Sequence, residues 1–147
     1  DHCTFDFHGD KQKGKDNFMK CPNGGPGVET RMPLIFSGGV SEGRISLNQF
    51  VDITSTNPAK IFGLYPKKGV LAEGSDADIV FIDPDREVTI TKSILHENVD
   101  YTAYEGMKVK GWPVMTMVRG QVVVENNELK VEPGFGQFVK RGKCGKR

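Results

Sequence analysis

The period of the apolar residues changes once along this chain, and the order of that change limits what it can fold into. From Glu29 to Leu64 the spacing is helical, in ETRMPLIFSGGV and then SLNQFVDITSTNPAKIFGL, which predicts two or three helices. Ser46 is the expected N-cap of a helix with Leu47, Phe50, Val51 and Thr54 on one face. Asn57 and Pro58 are expected to restart the helix as cap and first residue, and Gly63 to end it. After Pro66 the period becomes that of strands. The run Ile79, Val80, Phe81, Ile82 reads as one strand; PVMTMVRGQVVVENNELKV reads as two strands reversing near Arg119-Gly120, with a further short one after Asn126-Asn127. Residues 85–106 are mixed and receive no element. The helices therefore have no preceding sheet to lie on, and the strands are too few to close a barrel or form two layers. Because a domain needs two packed layers around one core, a partner layer is missing, and a fragment or an obligate partner is expected.

The remaining sequence narrows the function classes mainly by exclusion. Residues 1–28 hold five glycines and two prolines among scattered charges, the composition of a long irregular loop, a length that is uncommon unless functional or disordered. At 147 residues the chain is one domain or a piece of two. It has no apolar run of membrane-spanning length, and a net charge of +1 provides no field to gather nucleic acid, so neither membrane nor nucleic acid is an expected partner. Cys3, Cys21 and Cys144 are an odd set without CxxC spacing, which points away from a disulfide framework and a zinc ribbon and toward a reducing, cytoplasmic setting. The start DHCTFDFHGD lacks the basic and apolar regions of a secretory signal; it also lacks an initiating Met, as in a chain cut from a longer one or processed.

Local motifs are mostly negative. His2, His8 and His96 form no HxH or HExxH pair and read as surface residues. There is no GxSxG elbow, and PNGGPG has neither phosphate-loop nor dinucleotide spacing, so on residue types alone it is a turn. Asp1 alone reads as a solvated chain end, and the basic VKRGKCGKR as a solvated tail.

Four longer segments, DHCTFDFHG, GKDNFMKCPNGGPGVETRMPL, GRISLNQFVDITSTNPAKIFGLYPKKG and GSDADIVFID, closely resemble dihydropyrimidinases and D-hydantoinases, members of the cyclic amidohydrolase superfamily. The resemblance extends over essentially the whole chain. NPAKIFGL and KKGVLAEGSDADIVFID are shared across the superfamily. PNGGPGVETRMPL, HENVDYTAYEGMKVKGWPV and GFGQFVKRGK look like the dihydropyrimidinase and hydantoinase branch in particular.

The resemblance implies an α/β fold: the C-terminal end of a metal-dependent (β/α)₈ barrel plus part of a small β-sandwich domain. Residues 1–66 would be the last loop and closing helices of the barrel, 67–131 the β-sandwich portion, and 132–147 a tail packing on a neighbouring subunit of a homotetramer. A barrel needs about 250 residues, so most of it would lie elsewhere. Asp1 then falls at the end of the last barrel strand, where it resembles a ligand to one of two zinc ions and the proton carrier. On that resemblance, metals held by Asp1 and by residues elsewhere would supply a hydroxide for attack on the carbonyl of a small cyclic amide or ureide, and the Asp1 carboxylate would carry the proton to the leaving ring nitrogen. Asn23 resembles the position that holds the ring amide through main-chain groups, which suits its flanking glycines. Cys21 departs from the family, which usually has an aliphatic residue there. The other ligands, four histidines and a carboxylated lysine, belong to strands this chain does not contain, and none is carried onto His2, His8 or His96. The isolated chain is expected to be inactive.

Two other classes compete. Dihydropyrimidinase-related cytoskeletal proteins share the fold without the metal ligands, but that branch does not keep the aspartate matched by Asp1 and usually lacks the asparagine matched by Asn23. A complete small β module binding a partner through its helical face is the other. Sequence upstream of Asp1 containing an HxH motif would remove it.

Overall fold

The structure is a computed structural model that describes residues 2–143; Asp1 and residues 144–147 lie outside the described residues. It is a mixed α/β arrangement in which short helices precede a four-stranded antiparallel sheet. Helix α1, Arg31–Ile35, continues as a π-helical stretch over Phe36–Ser41. Helix α2, Leu47–Val51, runs through a π-helical stretch, Asp52–Thr56, into α3, Asn57–Ile61.

Ser46 caps α2 as expected. Its hydroxyl accepts the Gln49 N–H (3.2 Å), and the Gln49 side chain accepts the Ser46 N–H (2.8 Å), so two orphan donors are satisfied reciprocally. The expected restart at Asn57 does not occur. Asn57 has helical dihedrals (φ −67°, ψ −43°), its N–H bonds back to the Asp52 carbonyl, and it is not the N-cap of α3. Pro58 would ordinarily clash with the carbonyl four residues earlier, and the wider π turn just before it makes room for the ring, so the helix passes through unbroken. Its end is as expected: Gly63 has φ +68°, with Leu64 N–H on the Ala59 carbonyl and Gly63 N–H on that of Lys60.

Strands β1 (Ile79–Thr89), β2 (Lys108–Val118), β3 (Gln121–Glu125) and β4 (Glu128–Leu129) form a meander in that order. Both reversals fall where the sequence put them. Arg119 and Gly120 have φ of +51° and +79°, Asn126 and Asn127 +48° and +67°, the paired positive values that tight two-residue hairpin turns require. Most of the unassigned span 85–106 is now accounted for: 85–89 complete β1, Lys92–Ile94 is a 3₁₀ turn, and 95–106 is irregular. Opposite β1, Asp83 pairs with Trp112 and Glu87 with Lys110, so residues 84–86 bulge out across from the single Gly111.

The core lies where 31–41 meets the sheet. Ile90, Leu95, Val109 and Trp112 are buried together, with Leu34, Val88, Ile94 and Tyr104 packed against them. The Phe36 and Phe50 rings meet edge to face at 5.4 Å, joining the second helical stretch to the first. Beyond Phe50 the second stretch buries little. Leu47, Val51, Ile53, Ile61 and Phe62 are all exposed, as are Val80 and Phe81 on β1, which is the missing layer that the order of helices and strands implied.

Candidate functional site

The long first loop is not loose. Residues 2 and 3, immediately after Asp1, pair with the glycine-rich turn: His2 and Gly25 form a parallel bridge, and the Cys3 N–H donates to the Gly25 carbonyl at 3.2 Å. The His2 imidazole accepts from the N–H groups of Gly27 (3.3 Å) and Val28 (3.4 Å) through Nδ1. From the other side, the Lys11 ammonium donates to the carbonyls of Pro22 and Gly24, the latter at 2.5 Å. The turn 22–28 is thus gripped through its carbonyls by a cation and through its amides by an imidazole. Asn23, at its tip, is exposed. The structure brings Asn23 and the two residues that follow Asp1 into one loop cluster; Asp1 lies outside the described residues.

Sequence reasoning missed what anchors this cluster, the irregular turn 95–101. The Asp100 carboxylate accepts the N–H groups of Phe7 (2.6 Å) and His8 (3.0 Å) and pairs with His8 Nδ1 at 2.6 Å. Burial would push Asp100 up, but the two amides and the His8 ring outweigh it and hold the carboxyl below the usual carboxylate range. The Asp100 N–H in turn donates to Asp6 (3.1 Å), and the Tyr101 ring lies 5.8 Å from that of Phe7. Glu97, nearly buried, accepts the Glu29 N–H (3.3 Å) through Oε1, which lies 3.9 Å from His2 Nδ1; its Oε2 is buried without a partner among the described residues. No motif marks these residues. Only the mixture of acidic and aromatic residues in HENVDYTAYEG, unlike a strand or helix, signalled a specialised turn.

Glu29 returns the contact. Its carboxylate accepts the His96 N–H (2.7 Å) and faces His96 Nδ1 (2.7 Å), while His96 Nε2 donates to the Asn127 carbonyl at 3.1 Å. Both ring nitrogens meet acceptors, so the doubly protonated ring fits best. The hydrogen bond to Glu29 raises the His96 pKa above 6.5, with burial opposing. Because the folded pKa is the higher one, this contact contributes its full stability below about pH 6.5 and loses it as pH rises through the folded value. His96 is half exposed, so the effect is modest. Comparing wild type with His96→Gln by urea unfolding across pH 5–9 should show a gap that narrows as the pH rises; a constant gap would contradict the charged pair.

Among the described residues no group of three or more His, Cys, Asp or Glu side chains is gathered to hold a metal, and all three histidines are engaged as above. The described residues therefore do not by themselves fit a metal centre, and no chemistry is routed through one on them. Among the described residues, no helix is long and apolar enough to cross a membrane.

Comparison with known proteins agrees with the fold and the motifs. Residues 23–123 match the Amidohydrolase family, and the chain belongs to that family. It is 53% identical over 145 residues to a D-hydantoinase of Geobacillus stearothermophilus and 49% identical over 143 residues to one of Ralstonia pickettii, and it spans 31% of the length of each. Among solved structures, a D-hydantoinase superposes on 99% of the chain with a TM-score of 0.95 at 53% identity. A dihydropyrimidinase from Brevibacillus agri NCHU1002 superposes on 100% with a TM-score of 0.95 at 51% identity. The chain corresponds to 32% of each.

Proposed function

We propose that this chain works as the last third of a hydantoinase or dihydropyrimidinase, hydrolysing a small cyclic amide or ureide to the ring-opened N-carbamoyl amino acid. The observation that carries this reading is the loop cluster, in which the residues after Asp1 and the turn bearing Asn23 are bonded directly to each other, together with relatives of those two names. The division into 1–66 as closing loop and helices of a (β/α)₈ barrel, 67–131 as part of a β-sandwich domain, and 132–147 as a tail on a neighbouring subunit of a tetramer belongs to the same proposal. The exposed apolar helix face, and the Glu97 oxygen that has no partner among the described residues, support it, since further polypeptide would cover the one and could pair with the other. The non-enzymatic alternative has less in its favour, because the matched relatives carry enzyme names.

When bound by Asp1 and by histidines and a lysine outside this chain, a pair of zinc ions would supply a hydroxide near neutral pH. This chain would contribute two other parts. Asp1 takes a proton from the attacking water and delivers it to the ring nitrogen as the amide C–N bond breaks. Main-chain groups at Asn23 hold the ring amide in register with that attack. The test is an assay of the longer polypeptide, zinc-loaded, on dihydrouracil, dihydrothymine and 5-substituted hydantoins. Ring opening that disappears with chelator is expected; no opening of any of them would sink the reading. The 147-residue chain alone should open none.

A further inference from the structure

We propose that Lys11 is a positioning residue for substrate binding, aiming the Asn23 N–H by holding the carbonyl of the same peptide unit. The inference rests on the reading of Asn23 given above. Lys11 opens the 3₁₀ turn Lys11–Gly14, whose Lys11 and Gln12 N–H groups donate to the carbonyls of Asp6 and Phe7 at 3.0 and 3.1 Å. That turn is therefore tied to the segment that Asp100 grips. Lys13 in the same turn points outward to Asp10, whereas Lys11 is half buried, with its ammonium 5.5 Å from the centre of the Phe5 ring. Among the described residues no carboxylate pairs with Lys11; its hydrogen bonds go to the carbonyls of Pro22 and Gly24. A half-buried ammonium satisfied by neutral carbonyls alone gives up ion pairing to organise a main chain.

The geometry of the peptide unit fixes the consequence. In a trans peptide the C=O and N–H point in opposite directions, and the Pro22–Asn23 bond is not among the cis bonds of the described chain. With the Pro22 carbonyl on Lys11, the Asn23 N–H points away from the ammonium. Among the described residues nothing bonds the Asn23 N–H or C=O. A cation on the carbonyl oxygen also draws electron density from the amide, so that N–H becomes a stronger donor to a ring carbonyl. The second bond, to Gly24, fixes the peptide two units on and stops the tip from rotating.

The test is made in the zinc-loaded longer polypeptide with Lys11→Met, Lys11→Arg and, as a control, Lys13→Met. Lys11→Met should raise KM about tenfold while kcat falls less than about threefold, the size expected for one weakened hydrogen bond. Its zinc content and melting temperature should match wild type. Lys11→Arg, which can still bridge both carbonyls, should recover most of the KM, and Lys13→Met should not change it. An unaltered KM in Lys11→Met, a loss confined to kcat, or an equal loss in Lys13→Met would overturn the proposal. Should Lys11→Met fail to fold, Lys11→Gln takes its place, and a wild-type KM there would overturn it equally. A wild-type protein that opens no ring refutes the proposed activity instead, before Lys11 is tested.

Discussion

Gly111→Ala is expected to destabilise the protein by about 2–5 kcal/mol, a large share of the roughly 5–15 kcal/mol that holds an ordinary domain. Two costs combine. Gly111 has φ +93°, a backbone conformation that L side chains rarely adopt. An added Cβ would also fall inside van der Waals contact with the Phe36 ring. The ring cannot easily yield, because Phe36 is buried and is also packed edge to face with Phe50. The change therefore strains β2 where it faces the β1 bulge, and the joint between the two helical stretches, together. Thermal or urea unfolding of the longer polypeptide measures it, and a shift below about 1 kcal/mol would show that the Phe36 contact relaxes at little cost.

Asp1→Asn should lower kcat by about 100- to 10,000-fold, the range associated with losing a positioned proton carrier. The amide keeps the size of the carboxylate but cannot accept and return a proton at neutral pH, and it is a poorer metal ligand. Zinc content measured alongside the rate separates the two contributions. A variant that retains zinc and still loses most of kcat places Asp1 in proton transfer; one that loses zinc in proportion makes it chiefly a ligand. A kcat within tenfold of wild type would remove Asp1 from the mechanism.

What could be read from the sequence was what local chemistry decides. Ser46 with Gln49 three residues on, Gly63 after the last helical turn, and the Arg119-Gly120 and Asn126-Asn127 reversals are each fixed by a few neighbouring residues. Asn57 was misread because a cap and a proline signal a helix start only where the preceding turn cannot widen. The face of Leu47 and Val51 is apolar in sequence yet bare in the structure, since burial depends on what lies opposite. Of the site, Asp1 and Asn23 came from resemblance alone. Lys11, Glu97 and Asp100 were illegible, because each acts on main-chain groups 11 to 93 positions away, and no spacing records such a contact.

The turn 95–101 serves as a common mount for parts that are distant in sequence. Through Asp100 it holds Phe7 and His8, and through Glu97 it holds the backbone at Glu29, where the glycine-rich turn enters its helix. For anyone engineering substrate preference by transplanting 1–28 from another hydantoinase, the graft would sit on a foreign mount. Recipient and donor would have to be exchanged as a matched pair of cassettes, loop with turn, or the new loop would arrive without the carboxylates that give it shape.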